Sequence, residues 1–438
     1  MIYTKEIPVK YETDVLVAGG GPAGVAAALA AARSGKRVHL IENNGCFGGS
    51  GTTALVPAFC QFTDGVNNLC GGIGNEVRTA LFGEENALTK GFFGFPVEAL
   101  KKLYDRMVTA EPNITFTFFT RLIDAVSTDG HVDHVVLAAK SGIYAVKAKI
   151  YIDCTGDGDL CAFAGAGFEL GNEEGVTMPS TLCSLWANID YNRRAENNKP
   201  TDVMEKAITD GVFSLEDRHL PGIFKTDIAH GIGGGNVGHC FAVDATDEVS
   251  LTGAMLRGRS YMPEYERFYK EYVGGAYENM YLCYTADMLG IRESRRVTGE
   301  YRLCGEDFLR RAVFEDEIGR YAYPVDIHIM KPSKEAYDSF QKEYGQDMRY
   351  GVGESYGIPY RALIPRDLEN VLVAGRCIST DRQMQASVRV MPGCFITGQA
   401  AGVAAALACE KEATRGVKTV DLHRNLKRLG AYLPHAEV

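Results

Sequence analysis

Apolar positions near the start of the chain form two short runs, separated by a glycine turn and an alanine-rich segment, in TDVLVAGGGPAGVAAALAAARSGKRVHLIE. The first run predicts a buried strand over residues 14–18, and the alanine-rich segment predicts a helix over 25–33. A second predicted strand over 37–41 ends at Glu42. This order of strand, glycine turn, helix and strand is typical of a nucleotide-binding α/β unit.

The turn between the first strand and the first helix matches G-x-G-x-x-G at Gly19, Gly21 and Gly24. Gly19 suits the tight turn, Gly21 lets backbone N–H groups approach a pyrophosphate, and Gly24 allows close packing of helix on strand. The helix N-terminus adds partial positive charge for the diphosphate. Glu42 can accept hydrogen bonds from ribose hydroxyls. The spacing therefore predicts a bound dinucleotide.

A second literal match to this motif lies at Gly233, Gly235 and Gly238. The residues that follow, 239–243, predict a strand instead of an alanine-rich helix, and no acid closes a second strand at the right distance. We interpret this stretch as a glycine-rich loop that enters a strand. The sequence therefore does not predict a separate NAD(P)H-binding domain.

Short runs of β-type residues, separated by the turn signals TDG and KSG, fill residues 113–153. They predict a small antiparallel meander set into the parallel sheet. The last run passes into Thr155, Gly156 and Asp157 in the segment KIYIDCTGDGDL. A strand that ends in Thr-Gly can pass its backbone close beside a flat cofactor.

The loop after Glu42, ENNGCFGGSGTTALVP, is rich in glycine and hydroxyl side chains. A simple NAD dehydrogenase usually moves on to its next helix at this point. Gly48, Gly49 and Ser50 instead offer a second stretch of backbone and a hydroxyl to a diphosphate and a ribityl chain. The loop therefore favours FAD over NAD as the dinucleotide.

The segment RVMPGCFITGQAAG, residues 389–402, predicts a second helix rich in small residues. It follows a predicted strand over 370–374 and a predicted long loop over 375–391. Pro392 suits the first turn of a helix, and the small residues after it predict close packing against the first helix. A plain core helix would explain the alanines but not the Pro-Gly start.

Composition excludes several other classes of protein. A chain of 438 residues predicts about two domains, and its net charge of −10 argues against nucleic acid as a partner. The twelve cysteines contain no CxxC pair, so no metal site is predicted and the thiols indicate a reduced, cytoplasmic protein. The N-terminus lacks the apolar core of a signal peptide. The most apolar stretch, 15–32, contains four glycines and a proline, which argues against a membrane span.

Taken in order along the chain, these motifs resemble the FAD-dependent oxidoreductase family related to fumarate-reductase-type flavoproteins, with a glutathione-reductase-like FAD fold. Three further segments share the resemblance: GIRESRRVTGEYRL at 290–303, YGIPYRALIP at 356–365 and NVLVAGRCISTDRQMQASVRVMPGCFITGQAAG at 370–402. The resemblance implies an α/β fold with a Rossmann-like FAD-binding domain, a parallel sheet with a β-meander, over 11–170 and 356–430. An α+β substrate or cap domain would be inserted over 171–355.

The resemblance also implies which residues contact FAD, from its adenosine ribose and diphosphate to its ribityl chain and the pyrimidine edge of the flavin. The implied residues are Gly19, Gly21, Pro22, Ala23, Gly24, Glu42, Asn43, Gly48, Gly49, Ser50, Thr155, Gly156, Asp157, Gly375, Arg376, Gly393, Cys394 and Phe395. The helix that begins at Pro392 would point its N-terminus at the flavin, where its dipole favours the anionic reduced form. No histidine lies between Glu42 and Pro57, so we expect FAD to be bound noncovalently.

Four residues are candidates for substrate binding and acid–base chemistry: Arg389, Tyr360, His239 and Asn236. Arg389 comes just before the flavin-facing turn and suits a substrate carboxylate. His230 is a further acid–base candidate, whereas we interpret the RESRR cluster at 292–296 as an ion-pair network.

The function that follows is an FAD-dependent oxidoreductase that passes hydride between a small soluble substrate and FAD, with an unidentified electron acceptor. Two alternatives stay open. One is a flavin-dependent elimination or isomerisation without net redox chemistry. The other is an electron-transfer subunit of a larger complex. The sequence predicts neither a nucleic-acid nor a membrane partner, and it leaves the presence of a homo-oligomer open.

Overall fold

The computed structural model describes residues 4–85, 87–344 and 348–437 of the chain. The strands in chain order are β1 (Val9–Ala18), β2 (Val38–Ile41), β3 (Ala58–Cys60), β4 (Phe92–Gly94), β5 (Ile114–Thr117), β6 (Thr120–Thr128), β7 (His131–Ala139), β8 (Gly142–Asp153), β9 (Phe168–Leu170), β10 (Ser180–Thr181), β11 (Ser184–Ala187), β12 (Gly222–Asp227), β13 (Ile232–Asn236), β14 (His239–Cys240), β15 (Tyr281–Thr285), β16 (Arg295–Val297), β17 (Glu317–Tyr321), β18 (Tyr356–Pro359) and β19 (Val371–Val373).

The helices surround the large sheet and extend into the inserted region. They are α1 (Pro22–Arg33), α2 (Ile73–Phe82), α3 (Val97–Thr109), α4 (Asp159–Phe163), α5 (Pro200–Thr209), α6 (Glu248–Arg267), α7 (Gly305–Leu309), α8 (Lys334–Tyr344), α9 (Arg382–Val388), α10 (Met391–Ala408) and α11 (Thr419–Arg428).

A seven-stranded sheet organises the molecule, with strand order β5-β2-β1-β8-β7-β6 and β19 added beside β8. Strands β5, β2, β1, β8 and β19 run parallel to their neighbours. The meander β6-β7-β8 is antiparallel, and β8 joins it to the parallel part because it pairs with β7 through its first residues and with β19 through its last. The predicted parallel sheet with an antiparallel meander is confirmed, but the meander covers 120–153 and not 113–153, because β5 pairs parallel with β2.

Helices α1 and α10 pack against each other on this sheet. Almost all of α10 is buried, which explains why it is apolar on every side. Its composition and length would also suit a membrane span, but 94% of that window lies buried inside the fold. Gly398 and Gly402 face the backbone of α1, so the predicted close packing of the two helices is confirmed.

The inserted region has its own sheet, with strand order β12-β13-β11-β15. A separate apolar cluster that includes Trp186, Met204 and Phe268 packs between this sheet and helices α5 and α6. The expected α/β fold with an additional α+β region is therefore confirmed. Residues from Val297 onward return to the core of the large sheet, and the domain boundaries at 171 and 355 stay predictions.

Two sequence-based element assignments were wrong in extent. The strand predicted over 239–243 covers only His239–Cys240, because Ala242 adopts a left-handed backbone conformation with φ 51° that ends the pairing. The predicted loop over 375–391 contains helix α9, whose first turn is capped by the side chain of Asp381. Gly233 and Gly235 lie inside strand β13, so the loop interpretation of this stretch is wrong, while the conclusion that the motif is not a nucleotide fingerprint holds.

Candidate active site

The glycine turn after β1 closes as tightly as its motif predicts. A Cβ atom on Gly19, which has φ +99°, would lie 2.4 Å from the carbonyl oxygen of Cys154. One on Gly24 would lie 1.7 Å from the carbonyl oxygen of Gly19. By contrast, nothing lies within 4 Å of the Cβ position of Gly21, and Pro22 starts helix α1 immediately after it. The turn therefore leaves open space where the N-terminus of α1 begins.

Glu42 is buried beside this turn. Its Oε2 accepts a hydrogen bond of 2.7 Å from the backbone N–H of Gly20, and its Oε1 accepts from the backbone and side-chain nitrogens of Asn44, each at 2.7 Å. Asn43 is exposed, so Asn44 and not Asn43 holds the carboxylate. Glu42 thereby connects the end of β2 to the glycine turn.

The predicted GGS loop lies against the same turn. The backbone N–H of Gly48 donates to the carbonyl oxygen of Gly20 at 2.8 Å, and a Cβ atom on Gly49 would lie 3.3 Å from the Cα atom of Gly21. Ser50 sits in the short 3₁₀ turn that follows. The structure thus brings together two segments that the sequence separates by about thirty residues.

The turn that follows β8 lies against the segment that follows β19. The guanidinium of Arg376 lies beside Gly156: a Cβ atom there would be 2.7 Å from Cζ of Arg376, so only glycine fits. The same guanidinium pairs with Asp157 at 2.7 Å. The hydroxyl of Thr155 donates a hydrogen bond to Oδ1 of Asp153 at 2.7 Å, so it does not point out of the turn. Gly375 lies close to Ala23 and Cys394, since its Cβ position is 3.2 Å from the Ala23 Cβ and 3.9 Å from the Cys394 Sγ.

The start of α10 is shaped by its small residues. A Cβ atom on Gly393 would lie 2.3 Å from the carbonyl oxygen of Val388, so glycine permits the tight passage from α9 to α10. The thiol of Cys394 donates to the carbonyl oxygen of Arg389 at 3.1 Å, and burial raises its pKa to about 12. Such a thiol is a packing group and not a nucleophile. Phe395 packs into the core against Phe59.

These segments fit a dinucleotide. The start of a long helix, the open position at Gly21 and a second glycine loop form a cradle that side chains would fill. Arg376 adds positive charge, and its buried Nε has no hydrogen-bond partner among the described residues. These features fit a diphosphate, and which residues contact it stays a prediction.

A second group of residues lies where the inserted sheet faces the start of α10. Arg292 is buried and donates to Oδ1 of Asn236 at 2.9 Å and to Oγ1 of Thr181 at 2.7 Å. Burial, together with the nearby charge of Arg389, lowers the pKa of Arg292 to about 10. Two of the predicted substrate-side residues, Asn236 and Arg389, are thus brought together around Arg292.

Arg389 reaches from the turn before α10 to the segment after β17. Its NH2 group donates to the carbonyl oxygen of Asp326 at 3.0 Å and lies 3.5 Å from the Asp326 carboxylate. Its buried Nε has no partner within the described residues. Arg389 therefore has donor capacity left beyond its contacts with Asp326.

His239 contacts three residues that the sequence analysis missed. Its Nδ1 lies 2.8 Å from Oδ2 of Asp217 and its Nε2 lies 3.1 Å from Nδ1 of His328. His219 stacks on His328 with ring centroids 4.4 Å apart. His219 and His328 lie on loops and His239 on the short strand β14, all distant in the chain and without a shared motif, so their spacing carries no signal of the cluster.

The remaining candidates lie elsewhere. Tyr360 is buried, and its hydroxyl donates to the carbonyl oxygen of Thr414 at 2.9 Å, so its contacts belong to the C-terminal part of the core. His230 is largely exposed and pairs with Asp227 at 2.8 Å. In the RESRR segment, Arg295 pairs with Asp159 and Arg296 with Glu293, as an ion-pair network would require.

A cavity of about 370 Å³ opens beside the Arg389–Asp326 contact. Its wall includes Gln61, Phe92, Tyr323 and Asp326. Because its volume suits a small molecule and Asp326 connects it to Arg389 and His328, it is the candidate substrate site. No three His, Cys, Asp or Glu side chains are placed to hold a metal ion within residues 4–85, 87–344 and 348–437.

Comparison with known proteins identifies a family over nearly the whole chain, since the family model described as FAD dependent oxidoreductase matches residues 14–428. Two solved structures are similar. p-Nitrophenol 4-monooxygenase PnpA from Pseudomonas putida DLL-E4 is 13% identical, with a TM-score of 0.43 over 95% of this chain and 84% of that chain. A geranylgeranyl bacteriochlorophyll reductase-like protein from Thermoplasma acidophilum is 12% identical, with a TM-score of 0.44 over 96% of this chain and 84% of that chain. No curated protein sequence matches the chain.

Proposed function

Because the chain belongs to the FAD dependent oxidoreductase family, we propose that it oxidises or reduces a small anionic substrate bound beside Arg389. FAD is its cofactor, and we propose that hydride passes between it and the substrate. The order of motifs along the chain supports a more specific relation to fumarate-reductase-type flavoproteins, with a glutathione-reductase-like FAD fold. Twelve free cysteines support a reduced, cytoplasmic setting.

The observation that carries this proposal is the position of Arg389. The residue lies two positions before helix α10, whose start adjoins the dinucleotide cradle, and it contacts Asp326 on the wall of the cavity. Arg389 lies behind Asp326 and does not line the cavity itself, so its guanidinium and that of Arg292 would attract an anionic group in the cavity by their positive charge. Both guanidinium groups suit a carboxylate or another anionic group of the substrate.

Bound FAD would supply the two-electron chemistry, and the chain would bind, orient and exchange protons. The residues around the cradle fit its diphosphate. The loop from Glu42 to Pro57 contains no histidine, and the Cys46 thiol lies near the hydroxyls of Thr52 and Thr53, which supports noncovalent binding. Arg389 would attract the anionic end of the substrate, while Asp326 and the histidines behind it would exchange a proton with it.

Anaerobic mixing of the purified yellow protein with candidate substrates tests the proposal. Hydroxy acids and other carboxylates that carry an oxidisable C–H bond should bleach the flavin, whereas neutral sugars and steroids should not. Bleaching only by neutral compounds would contradict an anionic substrate. Turnover without any electron acceptor would favour elimination or isomerisation, and copurification with an iron–sulfur protein would favour an electron-transfer subunit.

A further inference from the structure

Four side chains form a continuous line from the inserted sheet to the cavity. Oδ2 of Asp217 lies 2.8 Å from Nδ1 of His239, whose Nε2 lies 3.1 Å from Nδ1 of His328. Nε2 of His328 then lies 3.5 Å from Oδ2 of Asp326. Asp217, His239 and His328 are almost wholly buried, whereas the Asp326 side chain is 35% exposed at the cavity wall. The line therefore has one closed end and one accessible end.

The chemistry of the closed end dictates where protons sit along the line. The Asp217 carboxylate can only accept hydrogen bonds, so Nδ1 of His239 carries a hydrogen. In a neutral imidazole the other nitrogen accepts, so the hydrogen between the two rings belongs to Nδ1 of His328. A neutral His328 then presents a bare Nε2 to the carboxylate of Asp326. Two acceptors face each other there, and the line lacks one proton at its accessible end.

The surrounding charges and burial favour the absence of a proton between His328 and Asp326. Burial and the charge of Arg292 lower the pKa of His328 well below its usual value, so its imidazole is neutral at pH 7. Burial would raise the pKa of Asp326, but the positive charges of Arg389 and Arg292 act against it and lower the pKa of this carboxyl. Further titratable groups around this end are His219, which is stacked on His328, and Tyr323 and Cys60, which adjoin Asp326. Lys90 and Arg349 add two positive charges on the cavity wall that Asp326 shares.

We propose that Asp217, His239, His328 and Asp326 form a proton relay that serves the substrate in the cavity. The proposal rests on the proposed function. When an alcohol is oxidised, its C–H hydrogen leaves with both bonding electrons to the cofactor. Its hydroxyl proton leaves to Asp326, and the electron pair of the broken O–H bond becomes the second bond of the new C=O group. Asp326 passes the proton to Nε2 of His328, and reduction reverses both transfers.

Burial disfavours a charged His328, and the carboxylates of the line partly offset that cost while the proton is transferred. Protonated His328 donates from Nε2 to Asp326 and from Nδ1 to His239, which in turn donates to Asp217. The new positive charge thus lies between two carboxylates, one in direct contact and one reached through His239. Asp326 touches the substrate, His328 takes the proton from Asp326 transiently, and His239 and Asp217 are positioning residues that act through them.

Asp217→Asn is the sharpest test of the relay, because the structure dictates how the new amide must lie. The second carboxylate oxygen, Oδ1, accepts from the backbone N–H of His219 at 3.0 Å, so the amide oxygen stays on that donor and the NH₂ group faces His239. Every hydrogen bond of the line is then reversed. Nε2 of His328 already carries a hydrogen and cannot accept the substrate proton.

The matched control is Asp227→Asn, which alters the same kind of histidine–carboxylate contact with His230 at the protein surface. Nitrogen NMR of the histidine side chains in the FAD-loaded full chain reports the tautomers without any substrate. His328 should carry its hydrogen on Nδ1 in the wild type and in Asp227→Asn, and on Nε2 in Asp217→Asn. An unchanged His328 tautomer in Asp217→Asn would overturn the relay.

The second measurement is the rate of flavin bleaching by the hydroxy acid that is active on the wild type. Asp217→Asn should lower this rate on the order of 10²-fold, as loss of general-base catalysis does. The rise of the rate with pH that reports ionisation of the base should also disappear. His328→Gln should do the same while Nδ1 of His239 keeps its hydrogen. Wild-type rates and pH profiles in both variants would refute the relay. Reversed tautomers in a protein that no hydroxy acid bleaches would leave the relay standing and contradict the proposed function.

Discussion

The carbonyl oxygen of Ala23 lies 2.2 Å from the position that a Cβ atom on Gly398 would occupy. At this point helices α1 and α10 contact each other backbone to backbone, and the same contact recurs one turn later between Gly402 and Ala27. Ala23 belongs to the dinucleotide turn, whereas α10 begins at the turn that carries Arg389. The glycine contact therefore sets the distance between the cofactor cradle and the substrate-side residues.

Gly398→Ala should destabilise the fold and weaken retention of FAD. The new methyl group would overlap the Ala23 carbonyl, and overpacking of a core typically costs about 1–3 kcal/mol. Urea unfolding and the FAD content of the purified protein measure the two effects. Gly416→Ala is the control, because its Cβ position is exposed and lies 3.8 Å from its nearest neighbour. Equal behaviour of the two variants would show that the helices can separate at no cost.

Glu42→Ala should weaken FAD binding. The substitution removes the expected ribose acceptor and also the carboxylate that accepts a hydrogen bond from the N–H of Gly20 in the glycine turn. Loss of a charged hydrogen bond is worth roughly 1.5–3 kcal/mol, or about a 10- to 150-fold rise in the Kd for FAD. Fluorescence titration of the apoprotein with FAD measures this change. Glu12→Ala, an exposed carboxylate on the same sheet, should bind FAD as the wild type does.

Arg389→Lys should impair turnover nearly as much as Arg389→Ala. A lysine ammonium cannot reach Asp326 and a substrate anion with the planar, forked geometry of a guanidinium. The KM for an anionic substrate should rise in both variants, as measured by flavin bleaching over a range of concentrations. Arg366→Lys, at an exposed site, serves as control. Wild-type kinetics in both Arg389 variants would assign this residue to the domain interface alone.

Cys394→Asp should lower the reduction potential of the bound flavin, whereas Cys394→Ser should leave it nearly unchanged. A negative charge at the start of α10 opposes the anionic reduced flavin, and charges at helix ends are worth ~0.3–2 kcal/mol. Since 30 mV corresponds to ~1.4 kcal/mol for two electrons, the expected shift is about 10–40 mV. Reductive titration at equal FAD content measures it. A raised potential in the Asp variant would place this helix away from the flavin.

His39 should make the protein less stable in acid. Burial, with a smaller effect of Lys10, lowers the pKa of His39 from 6.5 to about 4. Between pH 6.5 and pH 4, His39 is therefore mostly protonated in the unfolded chain and mostly neutral in the folded chain. The free energy of unfolding falls as the pH drops through this range. At pH 5 this loss is about 2 kcal/mol.

Urea unfolding at pH 7.5 and at pH 5.0 checks this expectation. The difference in unfolding free energy between the two pH values should shrink in His39→Gln, which cannot be protonated. It should stay as in the wild type in His230→Gln, because the His230 side chain is 77% exposed. An equal pH dependence in wild type and His39→Gln would show that the buried ring is not the source.

The sequence by itself determined the dinucleotide unit. Gly19, Gly21 and Gly24 occur at a spacing that only a tight turn before a helix requires, and the alanine-rich run behind them has one geometrical solution, a buried helix. The meander over 120–153 was equally predictable, because alternation and turn residues act over a few positions, whereas the parallel pairing of β5 with β2 within the predicted span 113–153 was not. The same holds for Gly398 and Gly402, because their small size predicts a close contact between helices.

Only the tertiary structure determined which residues come together at the candidate substrate site. Asp217, His328 and Asp326 lie on loops and His239 lies on strand β14, more than a hundred positions apart at their extremes, and each alone is an ordinary polar residue. Arg292 belongs to a segment that the sequence analysis interpreted as an ion-pair network, yet the fold directs it to Asn236. Tyr360 had the chemistry of an acid, but the fold gives its hydroxyl to Thr414. Local patterns encode backbone geometry, whereas a polar cluster is specified by the packing that brings distant loops together.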